Sequence, residues 1–318
     1  MRSQRRGRDT AAVLVVTLLA ACTLVAPRDP PATARIWDVR AARFVDERAL
    51  VADLTVARFR LLGEIHDNPE HHAIRARLIV AIADAGARPA VVLEQFDLDA
   101  DEALKAAQAA HADAEALATA GRFDRPSWRW PLHKAIIEAA LRFSLPVRAG
   151  NLSREALRHA MAGGTDVDPG VKGYARLRAA RWTATEAAAM GADIVAGHCG
   201  QLPEAMVPRI VLAQRVRDAA MAQALVDAAT ADGAILIAGD GHVRADIGVP
   251  LYLHAPGQPD AGARSVSLGI VEVEPKEARA ADFPRQVVAD NPGFDYVWLT
   301  PPVEREDPCA TLRMPAAK

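Results

Sequence analysis

Several things are scarce in this sequence, and each scarcity removes an option. Aromatic residues make up only 5% of the 318 positions. With alanine abundant, that favours helix-rich packing. Charge of one sign is missing: the formal net charge is -2, which gives no electrostatic footprint for nucleic acid. Cysteines number 3, and Cys22 lies in the N-terminal processing segment. Cys199 and Cys309 remain, and an oxidising compartment would permit a disulfide between them. The sequence leaves their separation in space open. No apolar run is long enough to span a bilayer as a helix. Three familiar signatures are also absent: H-E-x-x-H, the Walker loop and the G-x-S-x-G nucleophile turn.

The N-terminus reads as a targeting segment. Arg2, Arg5, Arg6 and Arg8 form a basic start, and Ala11 to Leu19 is a short apolar stretch. Leu19-Ala20-Ala21-Cys22 then resembles a bacterial lipobox. The expectation is a signal peptide over residues 1–21, lipid attachment at Cys22 and a proline-containing tether over 22–35. The protein would then be anchored in the cell envelope by lipid, most simply on the periplasmic side of the outer membrane.

The remainder alternates strand and helix patterns. This predicts one α/β domain over residues 36–300, a mostly parallel central sheet flanked by helices. An irregular tail follows over 301–318. Strands are expected at Phe59–Leu62, Ala90–Phe96, Leu145–Asn151 and Ala234–Ala238. Ser265–Val273 and Phe294–Leu299 are expected as later, edge strands. Helices are expected at Pro69–Ala85, Leu132–Phe143, Ser153–Ala162, Tyr174–Met190 and Pro203–Ala229, with a short one over Val243–Leu253.

The stretch Phe59 to His72, FRLLGEIHDNPEHH, carries the densest chemistry. A buried strand ends in Gly63-Glu64-Ile65-His66. Asn68 and Pro69 then have the form of an N-cap and first helical residue. Asp67, His71 and His72 have a simple alternative as capping or solvated first-turn residues. A second Gly-x-x-His turn, Gly239 to His242, follows the strand Ala234–Ala238. In open α/β sheets ligands bind at the carboxyl ends of strands. Glu94, at the end of another buried strand, is costly unless paired or in a cleft. His198, between Gly197 and Gly200, has free backbone on both sides for close approach to a ligand. Trp128, Trp130 and His133 are further pocket candidates.

Glu64, His66, Glu94 and His242 are therefore the candidate catalytic set. Imidazole and carboxylate ligands suit a divalent transition metal rather than calcium, with His66, His242 and Glu64 as ligands. A His/Glu pair can equally work as base and orienting acid without metal.

The ordered blocks GEIHDNPEHH, VVLEQF, PVRAGNLSR, AGHCGQLPEAM, AQRVRDAAMAQAL and IAGDGHVRADIGVPLYL resemble the ChaN-like family of haem-binding lipoproteins. That family belongs to the wider Tiki/erythromycin-esterase-like group. The resemblance covers about residues 55 to 255. It implies an α/β domain, a lipid anchor and a role in haem or iron uptake beside an outer-membrane receptor system. It also implies haem as cofactor, stacked in pairs across a homodimer. Glu64, His66, Glu94 and His242 match the group's active-site positions. In enzymes of the group the first histidine is a base or metal ligand, a role carried to His66; this leaves a metal- or His/Glu-dependent hydrolase as the alternative activity. The family's haem iron ligand is a tyrosine. The chain has Tyr174, Tyr252 and Tyr296, of which Tyr252, close after the second Gly-x-x-His, is the nominal choice, with His198 beside it.

Overall fold

The computed structural model describes residues 35–162, 170–274, 289 and 293–311. The expected signal peptide, Cys22 and all but the last residue of the expected tether lie outside the described residues.

Eight strands form one sheet, in the order β2-β1-β8-β7-β3-β6-β4-β5. An N-terminal hairpin, β1 (Ile36–Asp38) and β2 (Arg43–Val45), leads into α1 (Glu47–Val56). β3 (Phe59–Leu62) then runs through the centre of the sheet and is buried along its whole length. A strand covered on both faces has no reason to alternate, so its sequence is a short continuous apolar run. Here the exception, Arg60, donates to the carbonyls of Leu54, Thr55 and Asp232.

α2 (Pro69–Asp84) begins where the sequence places it. Asn68 Oδ1 accepts from the Glu70 and His71 amides, and Pro69 stands at the first position. β4 (Ala90–Asp97), α3 (Asp101–Ala109), α4 (Ala114–Ala120) and α5 (Lys134–Arg142) follow, then β5 (Val147–Asn151) and α6 (Arg154–Ala162). β3, β4, β5, β7 (Ser265–Glu272) and β6 (Ala234–Ile237) are mutually parallel where they pair. β8 (Tyr296–Thr300) joins β7 in parallel, and β1 closes that side antiparallel.

Three expectations about elements change. β7 and β8 are interior strands, because the N-terminal hairpin adds itself outside them and takes the edge. The helix expected over Tyr174–Met190 is two: α7 (Tyr174–Ala179) and α8 (Ala184–Gly197). Thr183 starts the second with a reciprocal capping box to Glu186, a stop-and-restart signal inside an otherwise helical composition. The segment Val243–Leu253 likewise divides. Residues Asp240–Val243 form α10 and Val249–Leu253 form α11, after the long α9 (Val207–Ala228). The tail is irregular through Asp307 and ends its described part in the one-turn helix α12 (Pro308–Thr311). Cys309 in that turn is bonded to Cys199.

Two apolar clusters lie on the two faces of the sheet. A third, smaller one centres on Met190, Ile194, Val211 and Ile247. Among the described residues no helix is long and apolar enough to cross a membrane.

Candidate functional site at the carboxyl edge of the sheet

β3, β6 and β4 are neighbours, so their carboxyl ends deliver Glu64, Asp240 and Glu94 to one place. Gly63 can have no side chain there, because a Cβ would collide with Asp240 Oδ1 and Val243.

Glu64 is buried and sits at the hub of five side chains, one of which, Gln95, donates from Nε2 to its Oε1 at 3.4 Å. Its Oε1 lies 2.8 Å from His66 Nδ1 and 3.4 Å from His133 Nε2, and its Oε2 lies 3.1 Å from His72 Nδ1. The Arg75 guanidinium contacts the same Oε2 through Nη2 and donates from it to His72 Nδ1 at 2.9 Å. His72 Nε2 donates to the His66 carbonyl at 3.0 Å, so its Nδ1 is the acceptor of a neutral ring. Burial drives His72 to a pKa of about 4 and His133 to about 2. Burial also lowers Arg75, to about 9, which still leaves it charged at neutral pH. Arg75 is thus the cation of this cluster.

His66 is the part of the hub that meets solvent. Its side chain is 47% exposed. Glu64 holds Nδ1, and Trp128 stands edge-on to the ring with centroids 5.0 Å apart. A carboxylate that accepts the proton of one imidazole nitrogen leaves the other as a directed lone pair, here Nε2. The ring lies against the Gly239 backbone: a Cβ on Gly239 would stand 2.9 Å from His66 Cε1 and 3.0 Å from Nε2. Gly239→Val is expected to displace the ring and weaken any ligand held by it while leaving the fold intact. Near-identical circular dichroism with reduced ligand affinity would confirm this; unchanged affinity would refute it.

The second Gly-x-x-His turn builds a separate chain of ion pairs. His242 Nδ1 is 2.6 Å from Asp218 Oδ1, and Nε2 is 3.3 Å from Glu94 Oε1. Glu94 Oε2 accepts the Gly239 amide at 2.9 Å. Burial opposes charge on all three groups. On Glu94 it is outweighed by His242 and His66, which hold its carboxyl at about 2. On His242 it is outweighed by Glu94 and Asp218, which raise the ring to about 10. On Asp218 burial prevails over the pull of His242, leaving it at about 6.

These values carry a pH prediction. His242 is raised above its ordinary 6.5, so its contribution to stability is complete below that pH and disappears as pH rises towards 10. Asp218 and Asp240, which burial raises to about 6 and about 7, titrate at the lower end of this window and add to the fall there. Stability is therefore expected to fall between about pH 6.5 and pH 9, by up to about 1.4 kcal/mol per unit. Urea unfolding between about pH 8 and pH 9, above both carboxyls, should show the slope in the wild type and lose it in His242→Gln.

The expected metal set of Glu64, His66 and His242 is divided between the two arrangements. Glu64 and His66 belong to the hub, whereas both nitrogens of His242 face carboxylates. A different group, Glu64, His72 and His133, has ligand atoms within 4.8 Å of one another. Its donors would suit a transition metal, but Arg75 already contacts two of the three. Two unit charges about 4 Å apart repel by about 4 kcal/mol at an effective dielectric of 20, and a divalent ion doubles that. Metal and Arg75 do not fit together.

His71 is a buried structural residue. Its Nδ1 accepts the Ile65 amide at 2.9 Å and its Nε2 bonds Thr300 Oγ1 at 2.8 Å. Neither His71 nor His72 lies on a solvated turn, because the first turn of α2 packs beneath the site. His198 is the C-cap of α8, with Nδ1 donating to the Ile194 carbonyl. Tyr252 is fully buried, and Tyr296 is buried with its hydroxyl on Asp53. The Tyr252 hydroxyl accepts from Arg215 at 3.4 Å, and burial pushes its pKa up. Arg75 and Asp218 complete the site without a sequence motif to mark them. Arg75 sits three residues after His72, one helical turn on, which is the only signal it gives.

A family model described as haem-binding uptake, Tiki superfamily, ChaN matches residues 50–253. The chain belongs to this family. Of solved structures, one titled as cofacial heme binding to ChaN of Campylobacter jejuni aligns with a TM-score of 0.65 at 20% identity. The alignment covers 83% of this chain and 95% of that one, and it establishes the common ChaN fold. The type III effector HopBA1 aligns with a TM-score of 0.37 at 12% identity, covering 76% of this chain and 88% of that one. No curated protein matches the chain.

Proposed function

We propose that this ChaN-family protein binds haem at the open edge of the sheet, with His66 Nε2 toward the iron. The family match over residues 50–253 carries the proposal. The donor set supports it: His66 is half exposed, oriented by Glu64 and flanked by Trp128. A tyrosine ligand has less support, since the Tyr252 and Tyr296 hydroxyls lie in buried side chains. When bound, haem would supply an iron centre, and Glu64, Trp128 and Gly239 would fix the ring that meets it.

The same proposal places the protein in the cell envelope, anchored through Cys22, where it serves haem or iron uptake beside an outer-membrane receptor system, with two copies pairing about their haems. The Cys199–Cys309 bond supports an oxidising compartment. The test is an absorption titration of the purified protein with ferric haem, with elemental analysis of the same sample. A saturable Soret shift at fixed stoichiometry, retained in Tyr174→Phe, Tyr252→Phe and Tyr296→Phe, is the expected result. Absence of a saturable shift would overturn the proposal.

One observation favours a second activity. Asp218, His242 and Glu94 form a buried relay of charge beside His66, an arrangement suited to proton transfer in a His/Glu-dependent hydrolase. Turnover of ester or peptide substrates that His66→Ala abolishes would establish it.

A further inference from the structure

The lobe formed by α8 and the first half of α9 has its own apolar core, separate from the two on the sheet faces. Where it meets α10, a cleft of ≈ 240 Å³ opens. Met190, Ile194, Ile210 and Ile247 give it an apolar wall. His198, Gln214, Asp218 and His242 also line it, whereas Glu94 and His66 do not. The cleft is therefore on the Asp218 side of His242, away from the hub around Glu64.

Its polar atoms are acceptors in want of a donor. Asp218 is buried; Oδ1 is bonded to His242, and Oδ2 has no partner. Gln214 Oε1 is a buried atom with no partner either. His198 Nδ1 donates to the Ile194 carbonyl at 2.7 Å, and the other ring nitrogen, Nε2, is an acceptor whenever it carries no proton. His242 cannot serve them, since both its nitrogens already face carboxylates. Buried acceptors in native proteins are nearly always satisfied. Two of them lining one cleft, with the part-buried His198 ring beside them, mark the place of a ligand rich in N–H.

We propose that this cleft binds a small organic ammonium ion with an apolar body. An alkylammonium head has three N–H donors and no acceptor, the complement of Asp218 Oδ2, Gln214 Oε1 and His198 Nε2. Its charge meets the Asp218 carboxylate, which shares the single charge of His242 with Glu94 so that the three groups stay net negative, and its chain meets the four aliphatic side chains. Asp193, on the same lining, adds further negative charge, which Arg244 partly offsets. The volume equals about eight waters at roughly 30 Å³ each, enough for a chain of about six carbons. An anionic head would face Asp218 directly. The inference does not depend on haem binding at His66.

The test is calorimetric titration of the full chain with n-hexylammonium, hexanol and hexanoate. Hexylammonium is expected to bind at one site per chain, at least about tenfold more tightly than hexanol, because its hydrogen bonds are charge-assisted. Hexanoate is expected not to bind. Asp218→Asn should remove the preference for the amine. Since that change also touches His242, Ile210→Trp, which fills the cleft from its partly exposed rim, should abolish binding with circular dichroism unchanged. Equal or tighter binding of hexanoate, or full binding by Ile210→Trp, would overturn the proposal. Displacement of bound hexylammonium by ferric haem would also overturn it, since the cleft would then be part of the haem site.

Discussion

Glu64→Ala is expected to destabilise the protein by about 3–5 kcal/mol, because it removes the carboxylate that contacts a buried guanidinium and leaves only the through-space attraction of Asp240 and Glu94. Arg75 is fully buried, and beyond its contact with Glu64 it reaches only His72 among hydrogen-bond partners; its Nε and Nη1 have none. Arg75→Leu should cost a similar amount, by leaving the buried carboxylate without the cation that contacts it. Glu64→Leu combined with Arg75→Leu should recover most of the loss, since replacing both members of a buried ion pair by apolar groups is often close to neutral. Equilibrium urea unfolding of the four proteins measures this as a double-mutant cycle. A double variant no more stable than the worse single variant would show that the pair is not the controlling interaction.

The same series tests whether the Arg75 guanidinium keeps metal out of the hub. Wild-type protein is expected to show no stabilisation by zinc at this position. Arg75→Leu removes the competing charge and leaves Glu64, His72 and His133 within 4.8 Å of one another. Zinc at about a hundred times its dissociation constant would then add about 2.7 kcal/mol to that variant. Equal zinc stabilisation of the wild type would mean that the guanidinium yields its place.

His66→Ala is expected to weaken ferric haem binding by at least about a hundredfold. Outer-shell partners of a metal ligand are worth about 10- to 100-fold, and loss of the ligand itself should not be smaller. Substitution of a half-exposed side chain costs little stability, so the Soret titration and unfolding curve separate ligand loss from fold loss. Glu64→Gln gives the intermediate case, with the imidazole present and its orienting carboxylate gone. A His66→Ala protein that titrates like the wild type would remove His66 from the iron and return attention to the tyrosines.

How much of this was legible in the sequence differs residue by residue. The turn Gly63 to His72 could be read in detail, because strand end, N-cap and Pro at the first helical position are local signals. Glu64 and Glu94 could be singled out because a carboxylate at the end of an apolar strand has few inexpensive environments. Arg75 and Asp218 could not. An arginine on α2 and an aspartate on α9 look like ordinary solvated helix residues until the helices are packed. Asp218 is nevertheless buried against His242. His133 and Trp128 come from a loop and helix start far along the chain, and only the packing of α5 against α2 brings them over Glu64.

The sequence by itself determined the α/β class, the start of α2, the two Gly-x-x-His turns and the family. These follow from short-range patterns of burial, capping and turn chemistry, which need no knowledge of distant residues. Tertiary structure alone decided the strand order, the interior places of β7 and β8, the Cys199–Cys309 bond and the separation of Glu64 from His242. It also decided that the Arg75 guanidinium lies against the buried Glu64 carboxylate. The physical reason is that burial and Coulomb energy depend on separations in space, and for Glu64 and Arg75 those are set by how α2 packs against the end of β3.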